Sequence, residues 1–324
     1  MIRAWVADLD AATKEPRARQ VEPAEAVATA KSGAANVWID FESEDEAAVR
    51  GVLAPLEIHP LALDDMVVDI NRPKVDDFGP YLYIAVHSAR WDEDRPRLRE
   101  IDLVLGEHYL VSFHDETTRS VCSAHDLLER RPALLQRSPA VLLHHVLDEL
   151  VSNYMPIVDR IAEELDDLEE EVLGESEAIG VQQRILRLKR GLSALRRVVG
   201  PQRDTILALT RDEFRAVPAE VRPYLRDVYD RFARVTDLLD SFRDETGSLL
   251  DLYVSIVSNR LNIIIKRLTV LATVGLPLTV ITSYYGMNFA LPAYHWSHPE
   301  LFVIGLMALS GLVTWGVLKW TRWI

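Results

Sequence analysis

Between Arg267 and Glu300 the chain carries no Asp, Glu, Lys or Arg, whereas the sequence ahead of that gap is dense in charge. The run Leu268 to Tyr285 reaches the roughly 18 apolar residues that a spanning helix needs, and a second run, Leu301 to Leu318, reaches it again. A buried hairpin in a soluble core is the alternative, but two such runs back to back at one end of the chain favour a membrane. The flanks set the orientation. Lys266 and Arg267 precede the first run, Lys319 and Arg322 follow the second, and Gly286 to Glu300 between them holds no Lys or Arg. The positive-inside rule therefore places both termini in the cytosol and the short loop outside.

The rest of the chain is acidic. There are 50 acidic and 36 basic residues, a net charge of −14 in 324 residues, and the part ahead of residue 266 carries 49 against 32, or −17. Such a chain lacks the basic footprint that nucleic acids require and is suited to attracting cations. Its single cysteine, Cys122, excludes an intrachain disulfide and any multi-cysteine zinc site. No Gly-rich Lys loop is present to hold a nucleotide, and no nucleophile motif frames a Ser, His and Asp, so neither ATP coupling nor an enzyme is expected. Met1 to Asp8 has no apolar core of signal-peptide length, which keeps the first part in the cytosol.

Residues 1–138 read as a mixed α/β domain. Val37 to Ile39, Tyr81 to Val86 and Ile101 to Leu105 have the length and composition of strands. Leu103 to Leu105 and Tyr109 to Phe113 form a hairpin around Gly106-Glu107-His108, and Glu44 to Leu53 reads as a helix. From Pro139 the apolar residues recur at three- and four-residue steps. Breaks near Gly174 to Gly180 and Phe214 to Pro223 predict a long helical hairpin over 139–218 and a stalk helix over 219–265. The stalk runs without interruption into the first span, 266–289; a loop, 290–300, and a second span with its tail, 301–324, complete the chain. The hairpin's first helix carries Glu163-Glu164 and an acidic run from Asp166 to Glu171, and its second carries Arg184, Arg187, Lys189, Arg190, Arg196 and Arg197. These read as solvated faces that neutralise each other, with a regulatory ion site on the acidic run as the sharper reading.

Two spans cannot enclose a pore, so any conduit needs several copies around an axis. In the first span Ile265, Thr269, Ala272, Leu276, Thr279 and Ser283 fall on one helical face. The stripe suits a pore with polar rungs between apolar constrictions, and equally suits helix packing through small residues. Pro277 either kinks the span or is compensated by its neighbours. Directly after it come Gly286-Met287-Asn288. Glycine permits a tight helix end, and in a ring of subunits asparagine would present neutral oxygens to a hydrated ion. Mg²⁺ sheds water reluctantly, so such a ring avoids the dehydration cost. In isolation the tripeptide reads as an ordinary turn.

It is not isolated. Gly-Met-Asn at the end of the penultimate span, preceded by Thr269, Ala272-Thr273, Pro277-Leu278-Thr279 and Tyr285, resembles the CorA family of Mg²⁺ channels. His59 to Asp65 and Arg72-Pro73-Lys74-Val75 resemble its cytosolic signature, and Arg226 to Asp230 and Asp251-Leu252-Tyr253 its stalk. The resemblance implies an α+β cytosolic domain, an α/β/α sandwich, on a long helical stalk, followed by two transmembrane helices in a funnel-shaped homopentamer of the plasma (inner) membrane. It implies that Gly286, Met287 and Asn288 form the selectivity filter for Mg²⁺, which is both transported and regulatory. An intersubunit regulatory site would pair Asp65 with Asp227. On their own, Asp65 reads as a helix cap or surface acid, and Asp227 as a partner of Arg226 or Arg231.

Three departures from the family pattern stand out. No carboxylate occupies Ser152-Asn153, so Asp64 is all that remains of a second acidic site. The outer loop has His295 and His298 in place of the Met-Pro-Glu-Leu pattern, which brings in ligands for Zn²⁺, Ni²⁺ or Co²⁺. The C-terminus has only Lys319 and Arg322 where relatives carry a lysine cluster. The leading expectation is a passive Mg²⁺ channel driven by the membrane potential, about 4.6 kcal/mol for a divalent ion at 100 mV. The alternatives are transport of Zn²⁺, Co²⁺ or Ni²⁺, and a non-conducting membrane metal sensor.

Overall fold

Alternating side chains on seven strands divide the N-terminal half between two apolar layers. The computed structural model describes residues 1–9, 16–67, 72–92, 95–174, 180–287, 298–321 and 323. The strands are β1 (Ile2–Leu9), β2 (Pro16–Val21), β3 (Val37–Glu42), β4 (Lys74–Asp77), β5 (Tyr81–Asp92), β6 (Arg95–Gly106) and β7 (Tyr109–His114). They form one sheet in the order β2-β1-β3-β7-β6-β5-β4. Every pairing is antiparallel except β3 with β7, which runs parallel with Asp40 opposite Ser112. The expected hairpin is β6–β7, with Leu105 opposite Leu110. Gly106 is obligatory there, because a Cβ would lie 2.4 Å from the Tyr109 ring.

Helices cover both faces, as the α/β/α arrangement requires. On one face α1 (Pro23–Ser32), α2 (Glu46–Leu53) and α3 (Pro60–Val67) pack Val27, Leu53 and Met66 against Ile39, Tyr83 and Val111. Asp45 caps α2 by accepting the Ala48 N–H at 2.7 Å. On the other face lie α4 (Arg119–Arg130), α5 (Ala133–Arg137) and α6 (Pro139–Ser152). Then come α7 (Met155–Leu173), α8 (Val181–Leu209), α9 (Arg222–Tyr285) and α10 (Pro299–Trp320). The helix expected to be continuous from Pro139 is two helices. Pro156 lies in the first turn of α7, where its missing N–H is harmless, but it could not continue α6. The stalk helix α9 starts at Arg222, just ahead of Pro223.

The chain divides into two compact units, Met1–Leu249 and Leu250–Ile324, so the expected α/β domain and helical hairpin belong to a single unit. Helix α9 shows the change of environment. Leu225, Val228, Phe232, Val235, Leu239 and Leu249 are buried at helical spacing, and no residue of α9 beyond Leu249 is.

A buried polar cluster ties α4 to the sheet. Asp40, 2% exposed, accepts hydrogen bonds from Ser112 Oγ at 2.5 Å, His125 Nε2 at 2.8 Å and His114 Nε2 at 3.2 Å. His125 Nδ1 accepts from Trp5 Nε1 at 3.2 Å, so this ring is the neutral Nε2–H tautomer. His114 has Nδ1 2.8 Å from the Glu116 carbonyl and Nε2 on the carboxylate, so both nitrogens donate and the ring is cationic. Burial alone would raise the Asp40 pKa, but the hydrogen bonds from His114 and His125 hold it well below the ordinary 3.8. Burial alone would lower that of His114, but Asp40 raises it above 6.5. Stability from Asp40 is complete above 3.8 and lost as pH falls through its depressed value; that from His114 is complete below 6.5 and lost as pH rises through its raised value. Asp40→Asn should lower unfolding stability in detergent by about 3–5 kcal/mol, the order for one partner lost from a buried pair. It should also remove the loss of stability expected in wild-type melts as pH rises through the raised His114 value.

Candidate functional site

The second unit, Leu250–Ile324, is apolar and turned outward. Leu268, Leu271, Leu276, Val280 and Leu312 are each 60–72% exposed. The apolar windows of α9 and α10 have mean hydropathies of 1.7 and 2.2 and are 0% and 6% buried. A soluble core helix of that composition would be buried; surface of this extent needs lipid or another chain against it.

The two helices meet along complementary stripes. On α9 the half-buried residues are chiefly Val270, Val274, Pro277, Leu278, Ile281 and Tyr285. On α10 they are Val303, Leu306, Met307, Ser310, Gly311 and Thr314, with Leu318 buried. The Tyr285 and Phe302 rings pack edge-on at 6.3 Å. At 100° per residue, the stripe expected to line a pore lies roughly opposite the α10-facing side of α9. Ile265, Ala272, Leu276, Thr279 and Ser283 are exposed and Thr269 is half-buried. Packing between α9 and α10 of one chain therefore does not account for that stripe.

The hydroxyls on α9 have a fixed polarity. Thr269 donates to the Ile265 carbonyl at 2.8 Å and Thr279 to the Gly275 carbonyl at 2.9 Å. With their protons used, the oxygens are left as acceptors, which is what the water shell of a cation seeks. Helix α9 passes through Pro277 without interruption and ends at Tyr285. The Gly286 N–H bonds the Thr282 carbonyl at 2.9 Å, and a Cβ on Gly286 would lie 2.8 Å from that same oxygen. Only glycine fits this helix end. Met287 follows, 47% exposed. Asn288, His295 and Arg322 lie outside the described residues. His298 is exposed, its Nδ1 3.6 Å from Glu300 Oε1.

The regulatory candidates lie in the first unit, and each is placed differently. Asp65, on α3, holds the Lys74 ammonium at 2.5 Å; Lys74 also meets Asp76 at 3.1 Å and lies over the Tyr83 ring. Burial alone would lower the Lys74 pKa, but the hydrogen bonds to Asp65 and Asp76 raise it. Asp64 pairs with Arg50, which also bonds Glu46. Asp227, in the second turn of α9, is exposed, and no ion pair to it is found among the described residues. Arg231, one turn on, pairs instead with Asp148 and donates to Ser152 Oγ at 2.8 Å, so a guanidinium lies at the stretch Ser152-Asn153. Across the hairpin Arg184 bridges both Glu164 and Glu171. No group of three His, Cys, Asp or Glu side chains is arranged to hold a metal among the described residues. Sequence reasoning missed the two cations that occupy Asp65 and Asp64. Lys74 stood in the Arg-Pro-Lys stretch, but its reach to α3 depends on where β4 is laid in the sheet.

The profile of the family described as CorA-like Mg²⁺ transporter protein matches residues 33–319. The chain belongs to the CorA family. It is 35% identical over 270 residues to a cobalt/magnesium transport protein CorA of Thermotoga maritima, covering 81% of this chain and 77% of that protein. It is 30% identical over 285 residues to YfjQ of Bacillus subtilis, a candidate metal ion transporter, covering 87% and 88%. The solved complete CorA magnesium transporter of Methanocaldococcus jannaschii superposes with a TM-score of 0.82 at 20% identity, over 99% of this chain and 98% of that one. The CorA fold is thus shared from end to end, and the family is one of membrane transporters rather than enzymes.

If Asp65 takes Mg²⁺, Lys74 competes with the ion. Lys74→Gln should lower the Mg²⁺ concentration that half-protects the protein from trypsin by roughly two- to fivefold, equivalent to a part-exposed pair of about 0.5–1 kcal/mol. Arg50→Gln, which frees Asp64, should shift it less.

Proposed function

We propose that this chain forms a homopentameric passive channel of the plasma (inner) membrane whose main ion is Mg²⁺. The observation that carries the reading is the stripe from Ile265 to Ser283, which faces away from α10 and bears hydroxyl oxygens free to accept. Copies arranged about an axis with this stripe inward place alternating aliphatic and oxygen rings around a path, and the rest of the apolar surface faces lipid. The ring of Gly286, Met287 and Asn288 closes the outer mouth. Neutral oxygens there bind the water shell of Mg²⁺ without stripping it.

Gating follows from the acidic pair. Asp65 of one subunit and Asp227 of its neighbour take cytosolic Mg²⁺ and hold the closed arrangement. When Mg²⁺ is scarce Lys74 keeps Asp65, and the neighbours part. Such a ligand shifts the equilibrium only by its preference for the closed state. The membrane potential supplies the drive inward.

The test is Mg²⁺ entry into liposomes under an inside-negative potential, read by a trapped indicator. Wild type should conduct at low internal Mg²⁺, and Asn288→Ala should lose flux at least tenfold, a barrier change of about 1.4 kcal/mol or more. Absence of wild-type flux from folded oligomers would overturn the channel reading in favour of a sensor.

A further inference from the structure

Apart from the sites above, the sheet face beside α3 contains a cavity of about 460 Å³. The β5–β6 register sets His87 opposite Glu100 and Ala85 opposite Asp102, so His87, Glu100 and Asp102 share one face. All three line the cavity. Asp102 is 3% exposed, accepts the Tyr83 hydroxyl at 2.6 Å and is hydrogen-bonded to Glu100. Two carboxyls in such contact need a positive charge between them, either a proton or a cation. His87 supplies an independent sign. It is 6% exposed, and its Nδ1 is buried without a hydrogen-bond partner. Buried polar atoms are nearly always satisfied, so an orphan lining a cavity beside two carboxyls marks the place of something that fills it.

The geometry points to a divalent-cation site inside a single subunit, with Glu100 and Asp102 as ligands and His87 Nδ1 bonded to a water on the ion. Mg²⁺ typically uses one or two carboxylates and keeps several waters, which fits a roomy cavity in which no third carboxylate or imidazole converges among the described residues. Of the cations that line it, His114 is held by Asp40, Arg99 is paired with Glu116 through its terminal nitrogen while its buried Nε has no hydrogen-bond partner, and Arg72 and Arg197 are exposed. Those charges make the site weak, so the ion exchanges with the surrounding solution. The site needs one chain only and does not rest on the transport reading.

The probe is Mn²⁺, titrated by electron paramagnetic resonance into full-length protein in detergent. The background carries Asp65→Asn and Asp227→Asn, which removes the intersubunit site. This protein should still bind Mn²⁺, and adding Glu100→Gln should remove a single ion per chain. Any Mn²⁺ on the exposed acidic helices is common to both proteins and cancels. Glu100 is half-buried and its replacement isosteric, so the fold is retained, as a circular dichroism melt will check. Equal Mn²⁺ binding with and without Glu100→Gln, or none in the background, overturns the site and leaves the pair holding only a proton. Flux through the pore does not enter the measurement.

Discussion

Everything in this chain is arranged around a surface that cannot stay in water. From Leu250 onward the helices expose leucines, valines and isoleucines that a soluble protein would bury. Helical hydrogen bonding satisfies the backbone within each segment, which is the condition for a chain to cross hydrocarbon at all. What remains is side-chain chemistry. The face of α9 toward α10 is aliphatic with a proline, and the opposite face carries hydroxyls. A membrane can accept the first arrangement passively, but acceptor oxygens aimed away from the partner helix need an aqueous path or another subunit.

The first unit, Met1–Leu249, prepares a different kind of surface. Its sheet is held by apolar layers and by a buried ion pair between Asp40 and His114, and Asp40 also anchors α4 through His125. On the exterior, acidic residues are present in excess, yet several that matter are already occupied: Asp65 by Lys74, Asp64 by Arg50 and Asp148 by Arg231. These intramolecular cations neutralise the carboxylates within one chain. Asp227 is exposed and has no ion pair among the described residues.

The membrane segments were legible in the sequence because two charge-free runs of bilayer length are more than a soluble core of this size can bury. The β6–β7 hairpin was legible from its glycine and alternating pattern. The break between α6 and α7 was less so, since Pro156 in the first turn of a helix reads like any tolerated N-terminal proline. The buried Asp40 cluster and the cavity at Glu100 and Asp102 were not legible. They assemble residues from β1, β3, β7 and α4, or from paired strands, and only register brings them together. The Gly-Met-Asn motif is the converse case. Gly286 declared itself by resemblance, and its physical reason, the 2.8 Å approach to the Thr282 carbonyl, came only with the backbone.

The central claim is that one face of α9 lines the ion path. Substituted cysteines test it directly, in a background where Cys122 is replaced by serine. A cationic thiol reagent should abolish Mg²⁺ flux when cysteine stands at Leu276, Thr279 or Ser283, and leave it unchanged at Leu271 or Leu278. Block at Leu271 or Leu278 with none at the stripe would contradict the account, because the face presented to the ion would then be the wrong one.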